Sequence, residues 1–154
     1  YRILTNIRLN GYFFNRFITL NVAASSENKK VNFAVDSDIS HLSKGGKISD
    51  KGIKVNAMRL DELIFKSDQK VCGLKIDTEG EDLNVLMGAE NIIKNNFPKI
   101  IIEVREKNIK EIQNFLKNIG YNYIYEHNPS EDEKELMNFD KSKTKDIFAE
   151  KELD

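Results

Sequence analysis

Four carboxylates, Asp77, Glu79, Glu81 and Asp82, crowd into the stretch Leu74-Lys75-Ile76-Asp77-Thr78-Glu79-Gly80-Glu81-Asp82-Leu83. Side chains of this type at this spacing can bind a hydroxyl, take its proton or hold a hard cation. Their places differ. Asp77 directly follows an apolar run that reads as a strand, and in open α/β sheets ligands bind beyond the carboxyl ends of the strands. It is therefore a candidate ligand-binding or acid–base group; the competing role is a helix cap or an ion pair with Lys75. Glu79 sits in the turn, where it can share the work of Asp77 or cap the next helix. Gly80 permits a tight turn or a close backbone approach. Glu81 and Asp82 fall in the first helical turn, where the helix dipole favours negative charge, and read as caps.

Other reactive residues are few. His41 lies in a Ser/Gly-rich loop, Asp36 to Gly52. An ordinary imidazole titrates near neutrality, so His41 is either a candidate base or a plain exposed residue. His127 adjoins a charged tail and takes no role. Asp77, Glu79 and Glu81 together would also suit magnesium, and with it phosphoryl transfer. No second acid cluster or phosphate-cradling glycine loop accompanies them in the sequence.

The elements that position these residues follow from periodicity. Tyr1 to Asn10 reads as the end of a helix, and Phe17 to Ala24 as a strand rich in β-favouring residues. After a polar turn, Ser25 to Lys30, a strand is expected over Val31 to Val35 and another over Ile53 to Met58, with a loop between. Leu60 to Ile64 reads as one helical turn. Val71 to Ile76 reads as a largely buried, central strand of the parallel kind, which would bury Cys72. Leu83, Leu86, Met87, Ala89, Ile92 and Ile93 mark one helix face. Lys99 to Val104 is a second apolar strand. Ile109, Ile112, Leu116 and Ile119 mark a helix stopped by Gly120. Tyr121 to Tyr125 is a strand, residues 128–144 a charged mobile loop, and Asp146 to Glu150 a last edge strand. Alternating strands and helices from residue 71 onward argue an α/β domain with a parallel sheet.

Composition narrows the function. The 154 residues suit one domain. With 24 basic and 25 acidic residues and a net charge of −1, nothing pulls the chain toward nucleic acid or an anionic membrane. No apolar run approaches the ~20 residues of a membrane span. The single cysteine, Cys72, excludes an intrachain disulfide and fits a reducing, cytoplasmic setting.

The order of motifs resembles the FkbM family of S-adenosylmethionine-dependent methyltransferases. The resemblance rests on Lys75-Ile76-Asp77, Glu79-Gly80, Leu86-Met87-Gly88-Ala89 and Glu103-Val104. Upstream, Met58-Arg59-Leu60-Asp61-Glu62-Leu63 is similar to the family's Thr-Leu-Asp-x-Leu element, with Arg59 in place of threonine. Asn21-Val22-Ala23-Ala24-Ser25 resembles the end of its third core strand, and Ser40-His41-Leu42 its serine-rich loop. The match runs from about residue 1 to 125. It implies a Rossmann-like class I methyltransferase sheet, with residues 1–154 as a partial domain. The family's glycine-rich loop and ribose-binding acid have no match here. The first two strands are therefore expected to lie upstream of Tyr1, and the chain alone to be inactive. The resemblance also implies that Ala23 and Ala24 border the adenine, and that Asp77 lies near the methionine part of the cofactor and the acceptor. Asp77, Glu79 and His41 are then the catalytic candidates. The expected cofactor is S-adenosylmethionine and the expected acceptor a small-molecule or sugar hydroxyl. The rival classes are a non-catalytic α/β remnant or binding module, and the magnesium enzyme above.

Overall fold

A computed structural model of the chain describes residues 2–9, 11, 16–34, 47–48, 50, 52–63, 70–78, 80–127 and 144–151. Helix α1 spans Arg2–Leu9. A first sheet contains β1 (Ala23–Ala24), β2 (Lys29–Ala34), β3 (Lys47–Ile48) and β4 (Ile53–Met58) in the order β1-β4-β2-β3. A second contains β5 (Gly73–Ile76), β6 (Lys99–Arg105), β7 (Tyr123–His127) and β8 (Thr144–Glu150) in the order β5-β6-β8-β7. Helices α2 (Asp82–Gly88), α3 (Glu90–Asn96) and α4 (Ile109–Ile119) connect the strands of this second sheet.

β5 and β6 are parallel, in the register Ile76↔Ile102, and the chain crosses between them through α2 and α3. This is the βαβ unit expected from the sequence. The core lies between the second sheet and its helices. Ile100, Ile102 and Val104 alternate inward from β6, against Leu86, Ile93, Ile112 and Leu116 from the three helices, all at most 1% exposed. Gly120, at φ 111°, takes the left-handed conformation that closes α4, and its N–H caps the carbonyls of Leu116 and Lys117. The Tyr121 hydroxyl is buried and donates to the Pro98 carbonyl at 2.6 Å.

Several expectations need correcting. Of the stretch Phe17 to Ala24, only Ala23 and Ala24 pair as strand; Phe17, Ile18 and Leu20 are exposed and belong to no strand. The polar turn yields Lys29 and Lys30 to β2, because the antiparallel ladder to β4 continues to Lys29↔Ala57. Among the described residues β5 is an edge strand, not a central one, and begins only at Gly73; Cys72 precedes it and is exposed. The single helix expected from Leu83 onward breaks into two at Ala89. β8 is not an edge: it inserts between β6 and β7, antiparallel to both, so the second sheet is mixed. Its Ile147 and Ala149 are buried, which explains the apolar alternation in an otherwise charged tail. Residues 128–143 of the charged segment, and the loop carrying His41, lie outside the described residues.

Candidate functional site

Asp77 follows β5 immediately, at the carboxyl end of the strand, and its side chain is 44% exposed. The Lys75 ammonium lies 3.4 Å from its carboxylate, itself 71% exposed. An ion pair so open to water contributes little, about 0–1 kcal/mol, and yields readily to another partner. The pairing with Lys75 and the accessibility of Asp77 therefore coexist.

The turn after Asp77 is held from two sides. The Thr78 carbonyl accepts from the Glu81 N–H at 3.4 Å, and Gly80 takes φ 112°. A side chain at Gly80 would also meet the guanidinium of Arg105, whose atoms stand 3.4–3.5 Å from the position of a Cβ. Those are ordinary contacts, so it is the left-handed backbone of the turn that calls for glycine here. Glu79 lies outside the described residues.

The acids of the helix start do not cap α2 as the sequence suggests. The Glu81 carboxylate accepts from the Asn84 side-chain amide at 2.8 Å, and no side-chain cap bond forms at Glu81. Asp82 turns backward, and its Oδ1 accepts from the Thr78 N–H at 3.2 Å and the Thr78 hydroxyl at 2.6 Å. Asp82 is fully buried.

Capping falls to a residue far upstream. Asp61, from the short 3-10 turn Leu60–Glu62, accepts from the N–H of Asn91 at 3.2 Å and of Ile92 at 3.0 Å, the second and third amides of α3. It does for α3 what an N-cap side chain does, and α3 can therefore start afresh after Ala89. Arg59 completes this buckle: its guanidinium donates to Asp61 at 2.9 Å, to the Ser26 carbonyl at 2.7 Å and to the Met87 carbonyl at 3.2 Å. It thus ties the segment after β1, the 3-10 turn and the end of α2 together. The sequence showed this Leu-Asp element as one helical turn and as a family motif, but not as a cap. The signal for its role was a carboxylate in a short turn ahead of a helix that lacks its own capping side chain.

Ala23 and Ala24 are half-buried and pair with Ala57 and Met58 in parallel register. Ala24 packs against the core, and successive strand residues alternate faces, so Ala23 points to the opposite side. Ser25 then passes under Gly88 of α2, and the Ser26 hydroxyl meets the Asn84 side chain at 3.3 Å. The first sheet is thereby joined to the helix that begins beside Asp77. The structure brings Asp77, Gly80, Asp82 and Arg105 into one corner; His41 and Glu79 are not placed. Arg105 was missed in the sequence, although a charged residue ending an apolar strand parallel to β5 was the clue.

Among the described residues, no three His, Cys, Asp or Glu side chains group to hold a metal ion. An apolar groove of about 590 Å³ runs between α1 and residues 17–20, lined by Ile3, Ile7, Phe17, Ile18 and Leu20 among others. Among the described residues no titratable side chain lines it. No helix among the described residues is long and apolar enough to cross a membrane.

A family model for the methyltransferase FkbM domain matches residues 6–123. The crystal structure of methyltransferase FkbM from Methylobacillus flagellatus is similar in fold, with a TM-score of 0.63 at 17% sequence identity. That similarity covers 96% of this chain and 32% of the other, so the chain spans about a third of the length of the solved structure. No curated protein shows significant similarity to the chain.

Proposed function

The chain belongs to the methyltransferase FkbM family, and from that membership we propose that it serves an S-adenosylmethionine-dependent methyl transfer to the hydroxyl of a small molecule or sugar. The observation that carries the proposal is the place of Asp77. Within the span of the family match, a half-open carboxylate stands at the carboxyl end of a strand that runs parallel to its neighbour. Ligands of open α/β sheets bind at that edge.

The residues present fit such a cofactor. Ala23 and Ala24 are small and half-buried at the end of β1, and the exposed Asp77 carboxylate, met only by the Lys75 ammonium at 3.4 Å, can accept from hydroxyl or amino groups. The two alanines would border the adenine and Asp77 the methionine end. The cofactor supplies a methyl group on a sulfonium, an electrophile that needs no further activation. The protein has then to align the acceptor oxygen and remove its proton. Asp77 would accept a hydrogen bond from the acceptor hydroxyl and take the proton as the new O–C bond forms. Its weak pairing with Lys75 leaves it able to do so. A cytoplasmic location suits Cys72, exposed and without a disulfide partner.

The test is transfer of labelled methyl groups from S-adenosylmethionine to a panel of small alcohols and sugars by a form that also carries the family's glycine-rich loop and ribose-binding acid, with the product analysed for O-methylation; this chain alone is expected to be inactive. Asp77→Asn should lower the rate by roughly 10²-fold or more, the worth of one positioned base, with an unchanged melting temperature. Wild-type turnover by Asp77→Asn would remove Asp77 from the chemistry.

A further inference from the structure

Asp82 is fully buried, yet among the described residues it neither pairs with a cation nor bonds an amide of its own helix. Its Oδ1 takes both donors of Thr78, and its Oδ2 meets no donor among the described residues. A buried carboxylate with one oxygen unmatched is costly, and a side chain that served only to fill space would avoid the charge. What Oδ1 grips explains the arrangement. The Thr78 N–H belongs to the peptide group that leaves Asp77, so a bond to it fixes the backbone rotation that aims the Asp77 side chain. The shorter bond to the Thr78 hydroxyl fixes the same residue a second time. Both bonds originate on a side chain locked in the core, next to Val85 and Leu86, which are 3% and 0% exposed.

We propose that Asp82 is a positioning residue: through Thr78 it holds the backbone that leaves β5, and thereby the direction in which Asp77 meets its ligand. This rests on the reading of Asp77 as the group that serves the acceptor hydroxyl. A side chain exposed to water and paired only with another exposed side chain has no support of its own. The rigidity required of a proton acceptor comes from Asp82 beneath it, and a misplacement of about 1 Å can cost roughly 10²-fold in rate.

Thr78→Val keeps the branched shape and deletes the hydroxyl donor, Thr78→Ser restores it, and Asp82→Asn keeps an acceptor oxygen without the charge. The first readout is the backbone order parameter of Asp77, Thr78 and Gly80 by NMR on this chain, which needs no substrate. It should fall in Thr78→Val, return in Thr78→Ser and stay near wild type in Asp82→Asn. Order unchanged in a folded Thr78→Val, or order lost equally in the serine variant, overturns the positioning role. The second readout is methyl transfer by a form that also carries the family's glycine-rich loop and ribose-binding acid, where Thr78→Val should lose roughly tenfold or more in turnover with little change in acceptor KM, and Thr78→Ser should recover. Full turnover by Asp77→Asn would sink the reading of Asp77 and the catalytic part of the proposal with it. The order parameters would still decide whether Asp82 holds the turn.

Discussion

Gly88→Ala sets two effects against each other. Gly88 ends α2, its φ is not in the left-handed region, and alanine is the better helix former by up to about 1 kcal/mol. On propensity alone the variant should be more stable. The structure says the opposite. A Cβ at this position would stand 1.9 Å from the Ser25 carbonyl oxygen and 2.9 Å from its carbon. An ordinary carbon–oxygen contact needs about 3.3 Å, so α2 or the end of β1 must retreat by more than an ångström. Overpacking of this kind costs about 1–3 kcal/mol. The retreat also stretches the Arg59 bond to the Met87 carbonyl and the Ser26–Asn84 contact, each worth about 1 kcal/mol at most. Sterics should therefore win by about 2 kcal/mol, a fall in melting temperature of roughly 4–8 °C for a chain of this size. Thermal unfolding followed by circular dichroism reads it directly. A melting temperature equal to or above wild type would mean that helix propensity prevails and that α2 does not sit against Ser25 as closely as described.

Other consequences are equally accessible to measurement. Asp61→Ala should cost about 1–2 kcal/mol for the lost cap, and more for an Arg59 left without its carboxylate; faster hydrogen exchange at the Asn91 and Ile92 amides would locate the damage, and unchanged exchange there would refute the cap. Cys72 should react within minutes with a thiol reagent in native buffer, since it is exposed ahead of an edge strand; protection until unfolding would restore the central-strand reading. Burial pushes the Tyr121 hydroxyl well above its ordinary titration range, so its neutral form belongs to the folded state. The unfolded chain gains by ionising it above pH ~10, so this stability is full below that pH and is lost as pH rises toward the folded value. Tyr121→Phe should be less stable at neutral pH by about 1 kcal/mol, from the lost bond to Pro98, yet less sensitive to alkali; an identical slope above pH 10 would show that Tyr121 does not contribute.

What the sequence made legible was local. The run Leu74-Lys75-Ile76 ending on Asp77, the spacing of Ile109, Ile112 and Leu116, and Gly120 after them each signal through neighbours in the chain, and each is found where expected. What escaped depended on partners far away. Cys72 follows the same apolar pattern as a central strand, but whether β5 has one neighbour or two is decided by other strands. The apolar face from Leu83 to Ile93 gives no hint of a break at Ala89, because the residue that lets α3 begin there is Asp61, 30 positions before Asn91. The strand at Asp146 to Glu150 looked like an edge because its sequence is charged, yet alternation alone was enough to bury Ile147 and Ala149 in mid-sheet.

The acids of the site show why composition misleads there in particular. Asp61, Asp77 and Asp82 are one residue type, and a reading by type makes all three candidates for chemistry or for capping. Their surroundings separate them. Asp61 spends its oxygens on two amides of α3 and on Arg59, and its side chain is 6% exposed. Asp82 spends one oxygen on Thr78 and is closed to solvent altogether. Only Asp77 keeps oxygens turned to water, with a single distant ammonium for company. A group that must exchange a proton with a ligand has to stay accessible, whereas a group that must hold backbone in place is better buried, where its bonds are not shared with water. The two enclosed aspartates fix elements that follow the third in the chain, Asp82 the turn before α2 and Asp61 the start of α3. The strand end that carries Asp77 can then be an exposed edge without being loose.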